Sequence, residues 1–272
     1  GRFNIDSLPV QAQMENFTES LGNSDKLFGP IASRRSIEHW MGVKIPPGTE
    51  NVTKIDWSFK SLTGPPQWIW LPRTLQGLHL TYNQLTGTFA LENFPPGLTA
   101  IRAENNRFEG TLTLSSLPPS LKSLSLDNDL LEGSLDLTQL PDTLLSLDLS
   151  SNKFLGGIDL ERLPSPLERL SLAMNQLDGT ISLTKLPPAL TELCLNSNKL
   201  TGLLDLTALP QRLRHVELQY NEFRGSVTLL SLPPFLVFMD LSLNPLDGDA
   251  PVQSKMAYKV KVQGTGITQR LL

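Results

Sequence analysis

The chain has 272 residues, 39% of them hydrophobic, and a formal net charge of −4. This length and composition allow a large buried core, which excludes a disordered segment and a miniature fold held together by metal. No run of Lys or Arg is longer than two residues, and no apolar stretch approaches the roughly 18 residues that span a bilayer. We therefore expect neither a nucleic-acid-binding protein nor a membrane protein.

Cysteine usage limits the chemistry further. Cys194 is the only cysteine, which excludes an internal disulfide and a multi-cysteine metal site and favours an intracellular location. The first residues, GRFNIDSLPVQAQM, lack the apolar core of a signal peptide. Glycosylation sequons begin at Asn16 and Asn51, but a chain of this length contains one or two by chance.

Residues 1–48 contain no repeat and are predicted to form an N-terminal cap. The segment SRRSIEHWMGV predicts a short amphipathic helix that ends before Pro46 and Pro47. All four tryptophans lie within residues 40–70, as expected for side chains that cover the first coil of a repeat array. An aromatic pocket for a ligand is the alternative interpretation.

Residues 49–250 are organised by a 23-residue period, which predicts about nine repeats. The period is set by a polar anchor, aspartate in one repeat and asparagine in the others. The anchors are Asn83, Asn106, Asp129, Asn152, Asn175, Asn198, Asn221 and Asn244. A glycine follows each anchor after four positions, and a proline follows after twelve wherever another repeat comes next. The unit reads LxxLxLxxNxLxGxLxLxxLPxx.

This unit resembles the leucine-rich repeats, through segments such as LLSLDLSSNKF, LERLSLAMNQL and LTELCLNSNKL. The 23-residue spacing with a returning GxLxLxxLP segment is most similar to the repeats of kinetoplastid protists. The resemblance covers about residues 52–250. It implies a mainly β solenoid, or horseshoe, with a parallel front sheet and capped ends, and says almost nothing about function.

Elementary physics supports the same fold. In LxxLxL the leucines alternate with polar residues, as in a strand with one buried face, and stacked coils would pair such strands into a parallel sheet. The anchor amide can accept from and donate to backbone groups of the turn, and the glycine permits a positive φ. Segments such as GTLTL and GTISL also alternate, which predicts short strands on the back.

Residues 251–272 lose the repeat and predict a C-terminal cap with one or two strands within KMAYKVKVQGTGITQ. Four basic residues and no acidic residue lie in this segment. Lysines on an edge strand discourage further strand pairing, and a dedicated site for an anionic partner is the minority interpretation.

One arrangement has the elements of a catalytic site. Outward positions of neighbouring strands would place Glu192 beside His215, with Cys194 on the diagonal and Glu217 next to it. Nearby carboxylates disfavour a thiolate, and no oxyanion donor is evident, so we expect an exposed thiol in a polar row and no enzyme.

Metal and cofactor sites are not expected either. Glu104, Asp127 and Asp148 on neighbouring coils offer carboxylates to calcium, but the glycine-rich and aspartate-rich nonapeptide of calcium-binding solenoids is absent. His79 and His215 lie six coils apart, about 29 Å at the spacing of paired strands, so they cannot share a metal.

Outward positions of the front sheet carry seven carboxylates and three cations, which makes this face acidic. The sequence therefore predicts a non-catalytic protein-interaction or scaffold module, either free or as a subunit of a larger assembly. We expect its partner to be a protein with a basic surface and expect nucleic acid to be repelled. The alternatives are an enzyme that uses Cys194 and His215, and a receptor-like ectodomain. The predicted contact residues are Glu104, Asp127, Asp148, Glu192, Cys194, His215, Glu217, Phe238 and Asp240.

Overall fold

The computed structural model describes residues 5–30 and 35–272. The chain is a mainly β solenoid whose coils follow the 23-residue period, and it divides into two compact units, Gly1–Leu131 and Glu132–Leu272. Unit 1 contains, in chain order, the strands β1 (Val43–Lys44), β2 (Lys54–Asp56), β3 (Thr63–Gly64), β4 (Gly77–His79), β5 (Gln84–Leu85), β6 (Ala100–Arg102), β7 (Glu109–Thr111) and β8 (Ser123–Ser125). The next strand, β9 (Leu130–Gly133), contains the junction of the units.

Unit 2 continues the alternation of front and back strands. Its strands are β10 (Ser146–Asp148), β11 (Lys153–Gly156), β12 (Arg169–Ser171), β13 (Gln176–Leu177), β14 (Glu192–Cys194), β15 (Thr201–Gly202), β16 (His215–Glu217), β17 (Glu222–Phe223), β18 (Phe238–Asp240), β19 (Asp247–Val252), β20 (Val260–Lys261) and β21 (Gly266–Leu271). The α-helices are α1 (Val10–Phe17), α2 (Asp25–Phe28) and α3 (Ser254–Ala257), and short 3-10 turns cover Ile5–Ser7, Ile37–His39, Trp68–Trp70, Leu91–Asn93, Leu114–Ser116 and Leu137–Gln139.

The front strands pair at the same position of successive coils. In unit 1, β2, β4, β6 and β8 are parallel neighbours, and Ile55 pairs with Leu78. In unit 2, β10, β12, β14, β16 and β18 are parallel neighbours, and Leu170 pairs with Leu193. This constant register keeps each leucine row on the inner face, where these four side chains are fully buried.

The anchor asparagines connect the coils as the sequence predicts. Asn175 accepts a hydrogen bond from the Phe154 N–H at 3.0 Å and donates to the carbonyls of Leu149 and Leu172 at 3.1 Å. The same pattern recurs at Asn83, Asn106, Asn198, Asn221 and Asn244. Each amide satisfies buried backbone groups of two coils and links them.

The turns contain one predicted feature and one that the sequence does not reveal. Glycines four positions after the anchors have φ between 75° and 93°, as expected. The residue just before each anchor also has a positive φ, as does Phe59 at the same position of the first coil; these φ values lie between 54° and 59°, and none of the residues is glycine. Phe59, Tyr82, Met174, Tyr220 and Leu243 occupy this slot with 44% or more of their surface exposed.

The predicted short strands on the back are present, but they begin earlier in each repeat than the sequence suggests. Strands β11 and β15 end at the turn glycine and β13 ends two residues before it, so that these strands lie before the GxLxL segment. Some GxLxL segments run instead into a 3-10 turn, as at Leu114–Ser116. The proline two residues after that turn cannot donate to a sheet, which limits strand pairing there.

The N-terminal cap differs from its prediction. Of the segment expected to be helical, Ser33 and Arg34 lie outside the described residues, and the rest forms one 3-10 turn at Ile37–His39. Gly42, with φ 78°, then leads into β1, which pairs antiparallel with β2. Extended backbone next to a strand partner has replaced the expected helix.

The tryptophans of unit 1 cover its first coil. Trp57, Trp40 and Trp68 are at most 5% exposed. Phe28 packs against Trp40 at 4.3 Å and against Trp57 at 4.8 Å between ring centroids. These packed rings form a hydrophobic core between the cap helices and the coil, which favours the covering role over a ligand pocket.

The C-terminal segment has two strands, where the sequence predicts one or two. β20 pairs with the last front strand β18, and β21 pairs in parallel with β19. Lys261 of β20 therefore lies beside Asp240 of β18. Its ammonium also lies 4.9 Å from the centre of the Phe238 ring.

Candidate functional site

The front sheet of unit 2 brings together the residues that the sequence places there. Glu192 is directly opposite His215, and Cys194 is opposite Glu217 on the same strand pair, which puts Cys194 and His215 on a diagonal. The thiol donates to Glu192 Oε1 at 3.8 Å. The predicted juxtaposition is therefore present.

The chemistry of this group is that of an inert thiol. Burial, together with the smaller effect of the carboxylates of Glu217, Glu192 and Asp148, raises the pKa of Cys194 to about 12. A thiol with this pKa is almost entirely protonated at neutral pH, so it is a poor nucleophile. This electrostatic environment argues against the catalytic alternative.

The three carboxylates around Cys194 form the acidic part of the sheet, and we call Asp148, Glu192 and Glu217 the front carboxylates. Asp148 accepts from the Ser150 N–H at 3.0 Å, and Glu217 accepts from Gln219 Nε2 at 3.1 Å. These bonds hold two of the side chains in place while leaving them half-buried on the sheet surface.

Two of the predicted contact residues, Asp240 and Glu192, have basic residues beside them. Asp240 is only 8% exposed, accepts from the Ser242 N–H at 2.9 Å and lies beside Lys261. Glu192 is 3.7 Å from the guanidinium of Arg169. Lys261 of the cap and Arg169 of the neighbouring strand therefore place cations beside these two carboxylates.

Unit 1 contains a second acidic group around Asp129. Asp129 is 7% exposed, and its Oδ1 accepts from the Phe108 N–H at 2.9 Å, while its Oδ2 is buried without a partner. Burial raises its pKa to about 8, and the charges of Asp127 and Glu104 act in the same direction. Asp129 is therefore mostly protonated at neutral pH.

The calcium alternative gains no support from the side chains. Within residues 5–30 and 35–272, no group of three His, Cys, Asp or Glu residues has an arrangement that could hold a metal ion. Asp127 instead accepts from the Ser125 hydroxyl at 2.8 Å. Asp148 belongs to unit 2, whereas Glu104 and Asp127 belong to unit 1.

Sequence reasoning missed a basic cleft in unit 2. Arg212 and Arg214 lie just before β16 and share a cleft of about 520 Å³ with Arg169, Glu192, His215 and Phe235. Arg214 follows Leu213, the first leucine of its repeat. It therefore lies one position before His215, the first residue that the alternation along the strand places on the outer face. The arginine pair on either side of Leu213 is the signal that could have revealed it.

No helix in the described part of the chain has the length and apolar character that a membrane crossing requires. Neither a protein-family model nor a curated protein matches the sequence.

Solved structures similar to this chain share its fold. The crystal structure of a plant ice-binding protein aligns with a TM-score of 0.68 and 19% identity, over 100% of this chain and 96% of that one. A TDR receptor aligns with a TM-score of 0.56 and 27% identity, over 77% of this chain and 37% of the receptor chain.

A third similar structure is the leucine-rich-repeat ectodomain of the plant membrane receptor kinase GASSHO1/SCHENGEN3 from Arabidopsis thaliana, in complex with CASPARIAN STRIP INTEGRITY FACTOR 2. Its TM-score is 0.50 at 21% identity, over 75% of this chain and 32% of that one. The chain thus spans about a third of the length of the two receptor chains. Together with the 23-residue coils, these likenesses identify a leucine-rich-repeat fold.

Proposed function

We propose that this chain is a non-catalytic protein-interaction module, either free or as a subunit of a larger assembly. Its front sheet in unit 2 binds a protein partner with a basic surface, in an intracellular setting. The observation that carries the proposal is the convergence of Asp148, Glu192 and Glu217 around one thiol on an open sheet.

The fold favours binding over catalysis. Stacked parallel strands about 4.8 Å apart present a broad surface on which a partner can dock. The similar receptor structure that holds CASPARIAN STRIP INTEGRITY FACTOR 2 supports the idea that a fold of this type binds proteins or peptides. The raised pKa of Cys194 removes the nucleophile on which the enzymatic alternative depends.

The composition of the sheet suits a protein partner. Met174 and Tyr220, which are 58% and 59% exposed, lie in the turns that follow the front strands β12 and β16. Interfaces take most of their affinity from buried aromatic and Met contacts, while charges set the rate and specificity of association. Lys and Arg side chains of a partner would pair with the carboxylates, and phosphate groups of nucleic acids would be repelled.

The test is affinity capture from the source cell, with the captured proteins identified by mass spectrometry. The informative variant is Glu192→Lys with Glu217→Lys, because Asp240 is buried and its replacement would disturb the cap. The matched control is Asp178→Lys with Glu222→Lys, which changes the net charge equally at exposed positions after the front strands. We expect the control to retain the captured partner and the front variant to lose it. Equal capture by both variants would contradict the proposal.

A further inference from the structure

The arginine cleft lies at the opposite end of the strands from most of the front carboxylates. Arg169 and His215 begin β12 and β16, whereas Cys194 and Glu217 end β14 and β16. The cleft therefore presents cations on a sheet whose other end is acidic. Its volume of about 520 Å³ is large enough for several side chains of a ligand.

The guanidinium groups of Arg212 and Arg214 are free to bind a ligand. Arg169 has an ion-pair partner in Glu192, at 3.7 Å. Within the described part of the chain, no hydrogen bond or ion pair engages the side chains of Arg212 and Arg214, both of which are exposed. Paired guanidiniums suit carboxylates, which they bind through two parallel hydrogen bonds.

An apolar surface continues from the cleft. Phe235, which is 62% exposed, lines the arginine cleft, and the preceding residue, Pro234, lines a second cleft of about 450 Å³. Leu230, Met256 and Tyr258 also line this second cleft, and Tyr258 is 80% exposed. Lys255 adds a cation at its rim.

We infer that the two clefts together bind an acidic, apolar peptide segment of a partner protein. Carboxylates of the segment pair with Arg212 and Arg214, and its aromatic or aliphatic side chains pack on Phe235 and Tyr258. A small anion would leave these exposed rings unused, and the front carboxylates on the same sheet would repel a nucleic acid. This site adjoins the proposed acidic site and shares Glu192 with it, but its ligand has the opposite charge.

The test measures fluorescence anisotropy with labelled probes on the full chain. The first probe is a synthetic peptide of about twelve residues in which Glu and Asp alternate with Phe and Leu, a length that spans roughly 40 Å when extended. The second replaces each Phe and Leu by Ser, and the third is a single-stranded RNA of equal charge. The variants are Arg212→Glu with Arg214→Glu, Phe235→Ser alone, and a control of Lys199→Glu with Arg224→Glu, which reverses two exposed cations after the front strands.

We expect the acidic apolar peptide to bind the unaltered chain and to bind the Arg212 and Arg214 variant at least about tenfold more weakly, as for lost charged hydrogen bonds. The control should stay within about twofold. Phe235→Ser should weaken binding of the apolar peptide and leave the Ser peptide unaffected. Absence of peptide binding, an equal loss in the control, no effect of Phe235→Ser, or tighter binding of RNA would overturn the inference. Circular dichroism verifies that each variant is folded.

Discussion

A single residue interrupts the asparagine ladder of unit 1. Asp129 accepts from Phe108 as its asparagine counterparts do in their coils, but its second oxygen is buried without a partner. The other anchors donate hydrogen bonds through an amide nitrogen that Asp129 lacks. The neighbouring Asn128 does not replace this donor, because its side chain donates to Asn105 Oδ1. The pKa of Asp129 rises to about 8, chiefly because burial disfavours the charged form.

This shift makes stability depend on pH. The pKa of Asp129 is near 3.8 in the unfolded state and near 8 in the folded state. At pH values between these two, the folded state holds the proton and the unfolded state does not. The stabilisation is complete below that window and is lost as pH rises through it, with a limiting slope of about 1.4 kcal/mol per pH unit. We expect Asp129→Asn to abolish this slope and to raise the free energy of unfolding at pH 7 by at least about 0.5 to 1.5 kcal/mol.

Urea unfolding of both proteins at several pH values between 5 and 8.5 measures the effect. A variant that is less stable than the unaltered chain at the upper end of this range, or two proteins with the same slope, would show that Asp129 is not the titrating group.

Cys194 provides a second test at the scale of one residue. Because burial and three carboxylates raise its pKa to about 12, we expect iodoacetamide at pH 8 to modify it at least about tenfold more slowly than a small thiol of ordinary pKa. Glu192→Gln with Glu217→Gln should speed the reaction. Alkylation as fast as that of the free thiol would restore the catalytic alternative.

At the scale of an element, the turn after each front strand contains a residue with a strained backbone conformation. The residue before the anchor has a positive φ in nine coils, and Asn105 and Asn128 fill this slot with φ 59° and 57°. A left-handed conformation costs most residues about 1 to 2 kcal/mol, and asparagine tolerates it better. Side chains such as Met174 therefore occupy the slot against their local preference.

We expect Met174→Asn to raise the free energy of unfolding by about 0.5 to 1 kcal/mol, as local backbone strain is relieved. Met174 is 58% exposed, so little burial is lost. Leu203→Asn, at a position that is 72% exposed and not among those with positive φ, is the control and should change stability little. Thermal unfolding compares the two, and a lower melting temperature for Met174→Asn than for the control would refute the strain.

The repeat elements were predictable because each of their residues has one physical role. Inner leucines such as Leu170, the amide of Asn175 and the turn at Gly179 followed from spacing alone. The caps were less predictable because they lack the period, so that the 3-10 turn at Ile37–His39 was taken for a helix. Asp240 also lies beside Lys261 of the cap strand β20, which the period does not predict.

The candidate site was only half predictable for a related reason. Alternation along a strand selects outward residues such as Glu192 and Cys194, and the structure places them as expected. Arg212 and Arg214 precede their strand, where alternation gives no information, and they become neighbours of Arg169 only when coils stack. A side chain outside the periodic positions acquires its role from tertiary packing.

At the scale of the whole molecule, a net charge of −4 conceals an uneven distribution. In unit 2, cations cluster where the front strands begin, and the front carboxylates lie mostly where those strands end. The two groups adjoin, because Glu192 at the start of β14 lies 3.7 Å from the guanidinium of Arg169.

The most direct test is the affinity of the captured basic partner for three proteins at two salt concentrations. The proteins are the unaltered chain, Glu192→Lys with Glu217→Lys, and the control Asp178→Lys with Glu222→Lys. We expect the front variant to bind at least about tenfold more weakly at about 50 mM salt and to lose most of its salt dependence, because the screened attraction is gone. The control should match the unaltered chain in both respects. If the front variant keeps the affinity and the salt dependence of the control, the front carboxylates do not bind the partner.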